Sequence, residues 1–534
     1  MFSKTGFPFS EPLVASLNKH FSFDNPTLVQ ARSFAPITQG RDVLIKSSTG
    51  SGKSLAFLLP IIDHVLNSKT DRSDGIHALI LSPTRELALQ LQTVANTLLN
   101  GFAGITCGSV TGGEKRKSEK ARIRKGVHIL IATPGRLRDH FEHTCSLLDR
   151  FNKLKFVVLD EADQLLDLGF LPSIRFFLES TKGIRMQNYC QTVLVSATLT
   201  NKVSSLASFA LRNPINIYGD DEKNNENESF FIPSTLHQSY IIIPTKIRLA
   251  GLASVIYNEI EKAKAKKEAV RIIAFVFSCV HVDFYHTIFQ QLSADLESPF
   301  RAFSRTDFFA LHGNLDMIER KKTLRRFHDS DHSSVMFATD VAARGLDIED
   351  VSSVILFDPP SNVESYVHRI GRGGRIGNAG RSVLVLNPHE EGYVELLENE
   401  TGTTINLLPL EHQINSLASR VLVNKLPRRE ARWEYFARLV NNYVDEQVKK
   451  DRPLMSLAMQ SYQAYVSAYS TFPKESRSIF NRNSLHLGHL CKSFGLSETP
   501  QSIATTLRKD NSGGGSGKRR TGGVGSGSNK RKRS

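Results

Sequence analysis

Short runs of β-branched and aliphatic residues alternate with helical patterns twice along this chain, which restricts it to an α/β architecture. The first round runs from about residue 40 to 218 through DVLIKSS, HALILSPT, HILIAT, FVVLDEAD and QTVLVSAT. Runs that are apolar throughout, rather than at every second position, suit strands covered on both faces by helices. Each run ends in a polar or glycine-rich turn, where open parallel sheets place their ligands. The second round, RIIAFVFS, FFALHG, SVMFATD, VSSVILFD and RSVLVLN, occupies about 234–400. Two such sheets predict a ligand cleft between them. The sequence therefore divides into a first α/β domain at 1–218, a linker at 219–233 and a second α/β domain at 234–400. The linker, GDDEKNNENESFFIP, is acidic, aperiodic and closed by a proline. From 401 to 509 apolar residues recur every three or four, as in RWEYFARLVNNYVDEQVKK, which predicts a helical C-terminal extension. Residues 510–534, rich in glycine, serine, lysine and arginine, bury too little to offset their ordering entropy and are expected to be a disordered basic tail.

A chain of 534 residues with 40% hydrophobic and 23% charged residues can build two or three cores. Lys and Arg number 68 against 53 Asp and Glu, a net charge of +15, so its surface attracts polyanions. Nucleic acid is the leading partner, although charge that merely aids solubility stays open at this point. The five cysteines, Cys107, Cys145, Cys190, Cys279 and Cys491, contain no CxxC pair, so neither a zinc site nor a disulfide framework is expected. MFSKTGFPFSEPLV has no apolar signal core, and no stretch reaches the roughly 18 apolar residues of a membrane span. A soluble intracellular protein is expected.

Ser47-Ser48-Thr49-Gly50-Ser51-Gly52-Lys53-Ser54 lies between the strand DVLI and an apolar helix pattern. Gly50 and Gly52 let backbone amides approach phosphates, and the helix N-terminus adds partial positive charge. Lys53 can reach the β- and γ-phosphates of ATP, and the Ser54 hydroxyl can ligate Mg²⁺. Ser47 occupies the place of the usual first glycine, and an ordinary glycine turn is the alternative. Asp160-Glu161-Ala162-Asp163 ends the strand FVVL. There Asp160 can hold the metal and Glu161 can orient the attacking water, whereas alone these acids could simply open a helix. Phosphoryl transfer also needs cationic charge on the γ-phosphate. The run His368-Arg369-Ile370-Gly371-Arg372-Gly373-Gly374-Arg375 supplies candidate arginine fingers from the second domain, with a basic RNA-binding loop as the alternative. Fingers on one domain and a phosphate loop on the other require closure for catalysis.

These residues resemble the DEAD-box RNA helicase family, and the resemblance covers roughly residues 1–400. It rests on FDNPTLVQ ending at Gln30, the phosphate loop, PTRELALQ at 83–90, Thr111-Gly112-Gly113 and TPGR at 133–136. DEAD, Ser196-Ala197-Thr198, ATDVAARGLD at 338–347 and HRIGRGGR follow in order. The resemblance implies two tandem RecA-like domains and an ATP-dependent RNA helicase, an ATP hydrolase. It implies that Gln30 reads the adenine edge with Phe2 stacked on the base, or else Phe7 or Phe9. Ser48, Thr49, Gly50, Ser51, Gly52, Lys53 and Ser54 would surround the phosphates, and Asp347 would reach the ribose. Arg372 and Arg375 would be the fingers. Ser196 and Thr198 would couple hydrolysis to strand separation, with His368 and Arg369 supporting the closed interface. Pro83, Thr84, Arg85, Gly112, Gly113, Thr133, Pro134, Gly135, Arg136 and Thr339 would contact RNA phosphates and 2′-hydroxyls without reading bases.

Two positions depart from the family pattern: Gly373 stands where threonine is usual, and Met317 where LHGNLDMIER would usually carry glutamine. These bear on coupling and RNA affinity, while His312, Gly313 and Arg320 match. The segment NSLHLGHLCKSFGLS, residues 483–497, resembles the extension of DEAD-box helicases of large-subunit ribosome assembly, in the Dbp-seven-type branch, though His486 and His489 could equally be ordinary helix residues. That resemblance implies pre-rRNA and pre-ribosomal proteins as partners, a monomeric catalytic unit and a nuclear, nucleolar address. An ATP-gated RNA clamp is the alternative function.

Overall fold

The computed structural model describes residues 9–21, 25–47, 51–68, 70–143, 147–219, 232, 235–264, 270–295, 297–340, 348, 351–373, 380–422, 431–498 and 500–503. The expectations for Phe2, Phe7, Ser48, Thr49, Gly50, Cys145, Asp347, Arg375, most of the linker and the tail 510–534 lie outside them.

The first domain carries β1 (Val43–Lys46), β2 (Ala78–Leu81), β3 (Cys107–Val110), β4 (Ile129–Ala132), β5 (Phe156–Leu159), β6 (Gln191–Ser196) and β7 (Ile215–Tyr218). They form one parallel sheet in the order β3-β4-β2-β5-β6-β1-β7. In β1, Val43 and Ile45 enter one buried cluster while Leu44 enters another. Both faces are thus covered, which is why the strands read as continuously apolar.

The second domain carries β8 (Leu236–Ile242), β9 (Arg271–Phe275), β10 (Thr306–Leu311), β11 (Ser333–Ala338), β12 (Ser353–Leu356), β13 (Gly380–Leu386) and β14 (Asn406–Leu407). Their order is β10-β11-β9-β12-β13-β8-β14, again parallel. Strand for strand this repeats the first sheet, with β8 in the place of β1, β12 in that of β5 and β13 in that of β6. The last strand falls beyond the expected boundary at 400: Asn406 and Leu407, both exposed, pair with Ser239 and Tyr240. Two exposed residues carry no apolar run, so the sequence gives no sign of this strand.

The helical extension packs into the core of the second domain. Val440, Val444, Leu454, Tyr465 and Phe494 belong to the same buried cluster as Ile273 and Ile355 of the sheet. At the carboxyl ends of β8, β12 and β13, where the first domain keeps its nucleotide loops, the second is filled by side chains. Arg248 pairs with Asp358 at 2.7 Å and lies over the rings of Phe357 and Tyr465. Asn387 donates to Tyr465 Oη at 3.1 Å and to Tyr469 Oη at 3.3 Å. Among the described residues no helix is long and apolar enough to cross a membrane.

Candidate nucleotide and RNA site

Gly52 caps the helix Lys53–Asn67 with φ 91°, a left-handed conformation natural only to glycine. A Cβ there would also stand 2.5 Å from Gln30 Nε2, so Gln30 requires glycine at this position. Gln30 is fixed from both ends: Oε1 accepts from the Thr27 amide at 3.0 Å, and Nε2 donates to the Gly52 carbonyl at 3.1 Å. Its amide therefore braces the turn at Gly52. Lys53 is buried and donates to the Ser47 carbonyl at 2.7 Å. Ser47, in place of the usual glycine, donates through its hydroxyl to Ser51 at 2.6 Å. Phe9 meets Phe34 edge-on at 4.9 Å and packs, partly buried, against the first core.

The DEAD turn follows β5. Glu161 adopts φ 49° and ψ 57°, a left-handed conformation costing a non-glycine residue about 1–3 kcal/mol. Gln164 Nε2 holds its carboxylate at 3.1 Å. Burial and the adjacent Glu161 push the Asp160 carboxyl up to about 7, with Lys53 acting in the opposite sense. A divalent cation would relieve that penalty, and one carboxylate with the Ser54 hydroxyl is a donor set of hard oxygens suited to Mg²⁺.

Asp163, which sequence reasoning left without a role, is the hub. Its Oδ2 accepts from the Ala197 amide at 3.1 Å, the Thr198 amide at 3.0 Å and the Thr198 hydroxyl at 3.1 Å. Ser196 donates to the Thr198 carbonyl at 2.7 Å. The same Oδ2 faces His368 Nε2 of the second domain at 3.5 Å, an ion-pair distance without hydrogen-bond geometry. Burial opposes its ionisation, yet His368 and Lys53 hold Asp163 well below the usual carboxylate range. The signal was present in the sequence as the final letter of the DEAD motif.

Arg369 departs from its expected interface role. Its guanidinium binds both carboxylate oxygens of Asp340, at 2.6 and 2.9 Å, and the Asp358 carbonyl at 2.7 Å, all inside the second domain. A planar guanidinium facing a strand-end carboxylate forms a bidentate pair in place, which keeps it from reaching across the cleft. Arg369 thereby steadies the loop carrying Thr339, whose hydroxyl is buried without a partner among the described residues. Arg372 sits in the turn after the helix Val363–Ile370, its amide donating to the Arg369 carbonyl at 3.1 Å. Gly373 fits closely: a Cβ there would come within 3.2 Å of a Val354 methyl.

The expected RNA residues of the first domain converge at the carboxyl ends of β2, β3 and β4. Gly113 has φ 83°, and a Cβ on it would lie 2.7 Å from Arg85 Nη1. Thr84 caps the helix Arg85–Leu98, and Pro134, Gly135 and Arg136 open the helix Pro134–His143 after Thr133. Across the cleft, the Arg320 guanidinium pairs with Glu86 and donates to the Gly313 carbonyl at 2.7 Å. Glu364 of the second domain meets Asp167 of the first. Burial, then the Asp167 charge, pushes the Glu364 carboxyl up to about 7. Glu86 belongs to the PTRELALQ segment, but that motif does not announce its cross-domain partner, and Asp167 and Glu364 lie in no motif.

Three family models match in order: DEAD/DEAH box helicase at 27–206, helicase conserved C-terminal domain at 253–377, and ATP-dependent rRNA helicase SPB4-like, C-terminal extension at 451–502. The human protein named ATP-dependent DNA helicase DDX31 is 36% identical over 93% of this chain, which spans 61% of that protein's length. Oryza sativa subsp. japonica DEAD-box ATP-dependent RNA helicase 17 is 35% identical over 91% of this chain and 89% of its own. ATP-dependent RNA helicase DBP7 of Scheffersomyces stipitis is also 35% identical, over 95% of this chain and 75% of its own. Among solved structures, the DEAD-box helicase Mss116 bound to ssRNA and UDP-BeF superposes with a TM-score of 0.72 at 25% identity, over 96% of this chain and 95% of that one.

Proposed function

This chain belongs to the DEAD-box family of ATP-dependent RNA helicases, and we propose that it remodels pre-ribosomal RNA during assembly of the large ribosomal subunit. Lys53 receives the β- and γ-phosphates of ATP. Ser54 and Asp160 would hold Mg²⁺, whose charge would compensate the phosphate oxygens. Glu161 orients the attacking water, and Arg372 with Arg375 meets the γ-phosphate once the domains close. Gln30 and Phe2 hold the base, Asp347 the ribose, and Ser48, Thr49, Gly50, Ser51 and Gly52 line the phosphates. Pro83, Thr84, Arg85, Gly112, Gly113, Thr133, Pro134, Gly135, Arg136 and Thr339 hold the RNA backbone. The observation that carries this reading is Asp163 Oδ2, which the DEAD turn presents to Thr198 at 3.0 Å and to His368 at 3.5 Å. Hydrolysis, the Ser196–Thr198 segment and domain closure meet at that oxygen.

The extension matched at 451–502 and the DBP7 relatives support reading an rRNA target, a nucleolar address and pre-ribosomal protein partners, and the same proposal takes the catalytic unit as monomeric. The alternative of a clamp whose output is binding alone gains no support from relatives named as helicases. The human relative's name specifies DNA, so the decisive experiment compares nucleic acids. ATP turnover and strand displacement by the full chain are measured with RNA and DNA duplexes of one sequence. RNA should stimulate both activities and DNA neither; equal stimulation by DNA would refute the proposal. Crosslinking the cellular protein and sequencing the bound RNA should return pre-rRNA, and recovery of messenger RNA alone would remove the ribosomal assignment.

A further inference from the structure

Glu119 lies on the helix Arg116–Lys125 beneath the two proposed RNA loops of the first domain, with its side chain 1% exposed. Oε1 accepts from the Gly112 amide at 3.2 Å. Oε2 accepts from Arg136 Nε at 2.7 Å and lies 2.8 Å from His140 Nε2. One carboxylate therefore grips the backbone of the Thr111-Gly112-Gly113 turn and the guanidinium of the TPGR segment. Burial opposes its ionisation, but His140 and Arg136 prevail and hold the carboxyl below its usual range.

Arg136 is oriented from three sides. Besides Glu119, Nη1 donates to Asp139 Oδ2 at 3.2 Å and Nη2 to the Glu114 carbonyl at 3.1 Å. A guanidinium has five N–H groups, so these contacts leave a hydrogen on Nη1 for a phosphate oxygen. Ile123, one turn on along the same helix, is 4% exposed and belongs to the buried core of the first domain. On the other side of the turn, Arg85 packs against Gly112 and Gly113. The Glu119 carboxylate contacts both loops, and it is shielded from the RNA it would affect.

We infer that Glu119 is a positioning residue for RNA, holding the Gly112 amide and the Arg136 guanidinium in one register so that both engage a single strand without rearrangement. Preorganised donors bind without ordering themselves first, so the gain appears in RNA affinity and not in chemistry at the distant phosphate loop. The inference rests on the proposed RNA role of Gly112, Gly113 and Arg136, and its test separates the two.

Glu119→Gln keeps an acceptor for the Gly112 amide and removes the charge facing Arg136 and His140. RNA-stimulated ATP turnover by the full chain is titrated with single-stranded RNA for Glu119→Gln, Arg136→Ala and the double variant, beside basal turnover, KM for ATP and melting temperature. Glu119→Gln should raise the half-saturating RNA concentration about tenfold, the scale of one charge-assisted hydrogen bond. RNA-saturated kcat, KM for ATP and basal turnover should stay near wild type, the melting temperature should fall while the protein stays folded at the assay temperature because a buried carboxylate is lost, and the double variant should be no weaker than Arg136→Ala. Should Glu119→Gln fail to fold, Glu119→Asp, which keeps the charge but withdraws it by one methylene, should show the same selective loss of RNA affinity. An unchanged RNA requirement in a folded Glu119 variant, beside a raised one in Arg136→Ala, would overturn the positioning role alone. Effects that multiply in the double variant would overturn it too, since Glu119 would then not act through Arg136. Wild-type RNA affinity in Arg136→Ala would remove the RNA-contact assignment and this inference with it.

Discussion

His368 of the second domain stands 3.5 Å from Asp163 of the first, against the same carboxylate oxygen that holds the Thr198 amide and hydroxyl. The oxygen thus faces the second domain on one side and holds the Ser196–Thr198 turn on the other. His368→Ala should leave ATP affinity and RNA-independent turnover near wild type while lowering RNA-saturated kcat about tenfold, the scale of one charge-assisted contact. Steady-state turnover with saturating RNA measures this. A wild-type kcat would show that closure is registered elsewhere.

The Glu364–Asp167 contact predicts a pH dependence of closure. In the closed form, burial and then the Asp167 charge push the Glu364 carboxyl up to about 7; Asp163 adds to the rise and Lys202 opposes it. Opening exposes Glu364 and returns it to the ordinary carboxylate range near 4.3. Between these values closing takes up a proton, so closure is favoured as pH falls from about 7 toward 5 and levels off above about 7. RNA affinity with an ATP analogue should therefore rise as pH is lowered from 7.5 to 6, by roughly tenfold at most because the pair is partly hydrated. The comparison is with Glu364→Gln, which should lose the Glu364 component. Identical slopes in both proteins would assign the dependence to other groups.

The sequence makes both sheets legible because each strand is buried on both faces, and the nucleotide loops are legible because their chemistry tolerates few residue types. Asp163 was within reach as part of DEAD; its role appears only when β5 and β6 lie side by side and the second domain closes over them. A motif dense in arginines suggests a place for Arg369 at the closed interface, but its guanidinium binds Asp340 at 2.6 Å within the second domain. Glu119 and Glu364 are single acids in ordinary helical surroundings, and Glu86, though within PTRELALQ, gives no sign of its partner Arg320. Their importance comes from partners distant in sequence, which neither periodicity nor local spacing encodes.

Arg372 lies in the turn just past the short helix Val363–Ile370, whose last turn carries His368, so the proposed finger and the closure contact move as one unit. Arg372→Ala should leave ATP binding largely intact and reduce RNA-stimulated turnover by about 10³-fold, as arginine fingers do elsewhere. Single-turnover hydrolysis with prebound ATP separates this from a binding defect. A loss below about tenfold would transfer the role to Arg375.

The filled corner of the second domain makes the extension part of that domain's stability. Asp358 is wholly buried and faces the Arg248 guanidinium at 2.7 Å, so Asp358→Ala would leave a buried cation without its counter-ion, at a cost of about 3–5 kcal/mol. Tyr465→Phe removes only a hydroxyl accepting from Asn387 at 3.1 Å, and Asn387 keeps Glu390 at 2.9 Å, so its cost should be about 1 kcal/mol. Thermal melting of the full chain should show the second-domain transition moving far more for Asp358→Ala, with the first-domain transition unmoved in both because no atom of this network belongs to that domain. Equal shifts for the two variants would mean that the tyrosine hydroxyl, not the ion pair, holds the extension against the sheet.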